Sequence, residues 1–90
     1  MQNKEKMKEQ DLIALGFKKE VIPDKKSGHT EEWYYYTYSL TKKLELISND
    51  NEDAEREGWY VEFYNLENKI RFTNTRELAK LITIIENAKI

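Results

Sequence analysis

The chain contains no cysteine, one proline, one histidine and three glycines in 90 residues. Without cysteine there is no disulfide framework, no thiolate nucleophile and no Cys-based zinc or iron–sulfur centre. No apolar run approaches the roughly 18 residues that a membrane-spanning helix needs, and no Asn-X-Ser/Thr acceptor occurs. The opening M-Q-N-K-E-K-M-K-E-Q is charged throughout and lacks the apolar centre of a signal peptide. These gaps predict a cytoplasmic protein with no membrane partner, no metal and no cofactor.

Charge of one sign is also scarce. The formal net charge is −2, and the seven lysines of residues 1–26 are set against five acids. No dense cationic face is available to displace counterions from a nucleic-acid duplex. Residues 50–57 carry five acids beside the single Arg56 and read as a solvated excursion. A calcium loop starting at Asn49 would use Asn49, Asn51 and Asp53, but Ala54 stands where the turn needs glycine and Tyr60 where the closing glutamate belongs. His29 lies in S-G-H-T-E-E near Ser27 and Glu31, with no nucleophile elbow anywhere in the chain. It reads as a loop histidine, and Glu31 and Glu32 would point to opposite faces of a strand. No enzymatic signature emerges.

Aromatic residues are present in quantity. Hydrophobic residues make up 39% and charged residues 36%, which predicts a single domain over residues 1–90 with one thin core. Five of the eleven aromatics fall in W-Y-Y-Y-T-Y-S-L, residues 33–40. This stretch predicts a central strand over 32–40, with Tyr34, Tyr36, Tyr38 and Leu40 facing the core and Trp33, Tyr35, Thr37 and Ser39 facing away.

The other elements follow from pattern. Residues 4–15 predict a helix closed by Gly16, with Phe17 packing back on Leu12. Residues 17–22 predict an edge strand, interrupted by lysines and ended by Pro23 before a loop over 23–31. A strand over 44–48 pairs with the aromatic one through a three-residue loop, which sets Leu40 opposite Leu44 and Tyr38 opposite Leu46. A one-residue slip would turn the leucines outward. Residues 49–57 have room for one helical turn before Gly58. Strands over 59–64 and 69–73 pair Phe63 with Ile70, Val61 with Phe72, and Glu62 with Arg71. The closing helix is capped by Asn74, with Thr75 the alternative, and carries Leu78, Leu81, Ile82 and Ile85 as a stripe widened by Ile84 and Ala88. The fold expected is α+β: an antiparallel five-stranded meander in the order α-β-β-β-β-β-α.

Two helices cover one face of such a sheet. The other face should present Trp33, Tyr35, Thr37, Glu45, Ile47, Tyr60, Glu62, Tyr64, Lys69 and Arg71. Of these, Trp33, Tyr35, Tyr60, Glu62, Tyr64, Lys69 and Arg71 form the candidate binding surface, for Trp, Tyr and Arg supply much of the energy of protein interfaces. The plain alternative is that the segments 23–31 and 49–57 cover these rings. A nucleotide or single-stranded nucleic acid could instead stack on them, with Lys69 and Arg71 meeting phosphate. Tyr60-Val61-Glu62-Phe63 matches the end of an RNA-recognition strand motif, with Arg56 and Gly58 upstream. The spacing is short, however, and the helix that the motif requires after its first strand is missing.

The strings L-I-A-L-G-F, G-W-Y-V-E-F-Y and R-E-L-A-K-L-I-T-I-I-E, together with the aromatic strand, resemble small proteins encoded by bacterial phages and mobile elements. The resemblance implies an α+β fold and, for some members, inhibition of a host defence system by binding an effector or sequestering a nucleotide messenger. It assigns no site residue. The function expected is a non-enzymatic protein-interaction module, binding a protein partner or a second copy of itself as a homodimer through the aromatic face. The alternative is nucleotide or single-strand binding.

Overall fold

Five antiparallel strands lie side by side in chain order: β1 (Lys18–Ile22), β2 (Trp33–Ser39), β3 (Glu45–Ser48), β4 (Val61–Phe63) and β5 (Arg71–Phe72). Helix α1 (Glu9–Leu15) precedes the sheet, α2 (Asn51–Glu57) joins β3 to β4, and α3 (Thr75–Ala88) follows it. The computed structural model describes residues 6–22, 33–64 and 70–88. The loop expected over 23–31, the turn over 65–68 and Lys69 lie outside those residues. The α+β meander expected from the sequence is the fold of the chain.

Register follows the leucines. The Leu40 amide donates to the Leu44 carbonyl at 2.9 Å, and Tyr38 opposes Leu46, so the loop between them has three residues. The Thr41 hydroxyl accepts from the amides of Lys43 and Leu44 and closes this turn. At the other hairpin, Val61 opposes Phe72 and Glu62 opposes Arg71, as the apolar and charge pairs require. Strand β1 pairs on one side only, with β2, and is an edge.

The core lies between the sheet and helices α1 and α3. Tyr36, Leu40, Leu46 and Val61 from the sheet are buried against Leu12 of α1 and Leu78 and Ile82 of α3. Helix α1 ends as its sequence demands. Gly16 takes φ 102°, its amide donates to Ile13, and the Phe17 amide donates to Leu12, the paired bonds of a Schellman stop. The start of α1 differs from expectation. It begins at Glu9, because the Asp11 carboxylate accepts from the Lys8 amide at 2.9 Å and Lys6 bridges to Asn74 in an extended conformation.

Two further corrections concern the other helices. Residues 51–57 form a full seven-residue helix rather than a single turn. Asp50 caps it by accepting from the Asp53 amide at 2.7 Å, Ala54 buries its inner side, and Gly58 ends it. In α3, Asn74 is the cap, with its side-chain oxygen 3.0 Å from the Glu77 amide. Thr75 turns instead to the Asp11 carboxylate of α1. Ile84 is 64% exposed and Ala88 is exposed, so neither widens the buried stripe. At 100° per residue, Ile84 lies about 110° round the helix from the stripe's centre.

Candidate functional site: the open face of the sheet

Alternation along β2 divides its aromatic residues between two surfaces. On the core face, Tyr36 donates its hydroxyl to Glu9 at 2.6 Å, and Tyr34 reaches the same carboxylate at 3.4 Å. Tyr38 donates to Glu86 of α3 at 2.8 Å. Tyr34 and Tyr36 also pack against Trp59. Burial, followed by the Glu9 contact, pushes the Tyr34 and Tyr36 phenols above their ordinary pKa; for Tyr38 the bond to Glu86 is the leading cause. These rings fasten both terminal helices to one side of the sheet.

The opposite face carries no packed element of α1 or α3. Its side chains form cross-strand rows that follow from the register. One row crosses all five strands: Lys18, Thr37, Ile47, Glu62 and Arg71. On one side of it, Glu20 lies beside Tyr35, and Asn49 pairs through the backbone with Tyr60. On the other side, Ser39 lies beside Glu45, whose carbonyl accepts from the Tyr64 amide at 2.7 Å.

The candidate residues are distributed as follows. Trp33 is 40% exposed at the corner of the face, and its indole N–H donates to Glu52 of α2 at 2.9 Å. Tyr35 is half-buried in the middle, and Tyr64 stands 62% exposed. Tyr60 is half-buried; its hydroxyl donates to Asp53 at 3.2 Å, and the Arg71 guanidinium lies 3.9 Å from its ring centroid. Arg71 also donates to Glu62 at 3.2 Å. Burial and the bond to Asp53 push the Tyr60 phenol up, while the Arg56 guanidinium beside Asp53 holds that carboxyl below its usual range. Lys69 lies outside the described residues.

The segment 49–57, considered above as a possible cover, borders the face as α2. It is tied on at Trp33 and Tyr60 and leaves Tyr64 exposed. Asn49 fixes this border, with its buried amide donating to the Gly58 carbonyl at 2.9 Å and accepting from the Tyr60 amide at 3.0 Å.

Between these side chains lies a depression of about 300 Å³, lined by Glu20, Tyr35, Thr37, Glu45, Ile47 and Tyr64. A second, of about 320 Å³, shares Tyr35 and Ile47 and runs on to Ile22, Asp50, Asp53 and Tyr60. The two linings hold four carboxylates and, among the described residues, no lysine, arginine or histidine. No protein-family model, curated protein or solved structure matches this chain. Among the described residues, no group of three acidic or histidine side chains is placed to hold a metal ion, and no helix is long and apolar enough to cross a membrane.

Sequence reasoning identified the aromatic members of this surface but not Glu20 and Ile22, which β1 contributes. The string K-K-E-V-I has no apolar parity to set its register. In the sequence Asn49 and Asp53 belong to a polar excursion, and only the cap signal of Asp50 points to a helix that brings Asp53 beside the sheet.

Proposed function

We propose that the protein is a non-enzymatic interaction module that binds a protein partner through the open face of its sheet. One observation carries this reading. Tyr35, Ile47, Tyr60 and Tyr64 share a surface that neither terminal helix packs on, and Tyr64 is 62% exposed. Exposed aromatic and arginine side chains around a hollow are the usual anchors of interfaces. An inhibitor of a host protein, as the resemblance to phage-encoded proteins implies, would act through such a surface. A homodimer would use it twice, about a two-fold axis.

The nucleotide-binding alternative draws less support. Arg71 already lies on Tyr60 and is bonded to Glu62, and the hollow is lined with carboxylates that repel phosphate.

The test is a pull-down from the source cell with the wild-type protein, Tyr64→Glu and, as control, Ile84→Glu on the exposed side of α3, beside solution molar mass for all three. A partner, or a dimer, should be lost with Tyr64→Glu and kept with Ile84→Glu. Equal retention by the wild type and both variants would remove the proposal.

A further inference from the structure

We infer that the open face receives a basic segment of its partner, with a lysine or arginine side chain seated in the hollow between Tyr35 and Tyr64. This rests on the interaction-face reading and adds the partner's chemistry to it.

Three observations converge. First, among the described residues the lining of the hollow carries charge of one sign only. Glu20 and Glu45 are both half-buried in its lining, and among the described residues neither forms an ion pair. Among the described residues, Glu20 accepts one bond, at 3.3 Å from the Thr37 hydroxyl. Half-burial strengthens the field of each carboxylate relative to bulk water, so a cation entering the hollow is drawn in. Asp50 extends the same sign along the neighbouring depression, where Asp53 is already paired with Arg56. Among the described residues, the cations of this face lie outside the lining: Lys18 is exposed on the edge strand beside Thr37, and Arg71 is held by Glu62 and Tyr60.

Second, the walls suit a long basic side chain. Ile47 and the rings of Tyr35 and Tyr64 offer apolar surface for an alkyl stem, and the ring faces attract its charged end. Third, the same combination already holds a cation within the molecule. Arg71 sits over Tyr60 at 3.9 Å while donating to Glu62, a ring and a carboxylate sharing one guanidinium. Tyr64 beside Glu45, and Tyr35 beside Glu20, repeat that pairing of ring and carboxylate, with no cation among the described residues of the lining to fill it. An acidic or phosphorylated partner would meet Glu20, Glu45 and Asp50, and that repulsion supplies specificity against it.

The test selects short random peptides from a display library against the full chain. Enriched peptides are synthesised and titrated by fluorescence anisotropy against the wild type, Tyr35→Ala, Tyr64→Ala and the double variant Glu20→Gln/Glu45→Gln. Enrichment of lysine and arginine is expected. Binding should weaken about tenfold or more in the double variant and fall as salt is raised, since the charges it removes or screens are the recognition element. Replacing the basic residues of the peptide by methionine should produce the same loss with the protein unchanged, which keeps the test valid if a variant folds poorly.

Enriched peptides that are acidic or uncharged, yet lose binding with Tyr35→Ala and Tyr64→Ala, would overturn the basic partner and leave the interaction face standing. So would a concentration-dependent dimer abolished by Tyr64→Ala, which would put a second copy in the hollow. Binders indifferent to both tyrosine variants, or no enrichment at all, would remove the face and the basic partner together.

Discussion

The carboxylate of Glu9 lies 2.6 Å from the hydroxyl of Tyr36, joining the first turn of α1 to the middle residue of β2 on the core face. Tyr36 is only 2% exposed, so this bond orients a helix through a ring that has nowhere else to turn. Glu9→Ala removes the acceptor for both Tyr36 and Tyr34. A hydrogen bond to a charged group contributes about 1.5–3 kcal/mol, and a buried donor left unsatisfied costs a similar amount. The expected loss is about 2 kcal/mol, read as a lower urea midpoint at unchanged slope. Tyr34→Phe should cost less, since its bond is 3.4 Å long. A Glu9→Ala midpoint equal to wild type would show that the packing of Leu12 and the bond from Thr75 to Asp11 hold α1 without Glu9.

Stability should decline on the alkaline side. Tyr34, Tyr36, Tyr38 and Tyr60 all have phenols raised above the ordinary value, so the folded chain favours their protonated forms. A raised folded pKa gives stabilisation that is fully present below the unfolded value of about 10 and is lost as pH climbs through the folded value. Denaturation midpoints measured between about pH 9 and 12 should therefore fall, and Tyr36→Phe should fall less steeply. Phenolate absorbance should rise together with loss of structure. A flat profile would contradict the Glu9 and Glu86 contacts.

Two glycines should respond to alanine for different reasons. At Gly16, φ is 102° and an added Cβ would stand 3.4 Å from a Tyr38 ring carbon, so strain and a tight contact combine. At Gly58, φ is 87° and ψ 165°, and nothing lies within 4 Å of the added atom. That second conformation belongs almost wholly to glycine and costs other residues about 1–3 kcal/mol. Gly58→Ala should thus lower Tm by several degrees although it touches nothing, at about 4–8 °C per kcal/mol for a domain of this size. A neutral Gly58→Ala would mean that the end of α2 relaxes to another turn.

Asn49→Ala should loosen one border of the open face. Its buried amide closes the excursion from β3 to β4 by bonding Gly58 and the Tyr60 amide, and the substitution leaves both backbone groups unpaired. A loss of about 2–3 kcal/mol is expected, with faster hydrogen exchange at the Tyr60 amide than at the Leu46 amide. Uniform acceleration across the sheet would place Asn49 in the global core instead.

The parts of the fold legible in the sequence were those with parity. Leu40, Leu44 and Leu46 can share a face only with a three-residue turn, and Val61–Phe72 and Glu62–Arg71 agree on one offset, so the sequence aligns both hairpins; the expected pair of Phe63 with Ile70 does not form, because Ile70 precedes β5 and is 49% exposed. The L-G-F string announced the end of α1 because a left-handed glycine followed by an apolar residue has one common use. What stayed hidden was long-range or locally ambiguous. The bond from Glu9 to Tyr36 spans 27 residues and leaves no local pattern. The register of β1 could not be read from alternating charge, so Glu20 was missed as a wall of the hollow. Helix α2 was under-read because its one buried residue is Ala54, too small to make a stripe.

Strand β2 is longer than its neighbour β3, and two side chains stand in for the missing length. The Tyr36 amide donates to the Ser48 hydroxyl at 2.8 Å and the Tyr34 amide to the Asn51 side chain at 2.9 Å. An unpaired strand margin of this kind is a template on which another chain can add. Asn51 plugs it from the first turn of α2, which makes the short acidic helix a guard against strand exchange as well as a border of the face. Conditions that unwind α2 would leave the aromatic strand half zipped, and its six-residue run from Trp33 to Tyr38 would become the most adhesive segment of the chain.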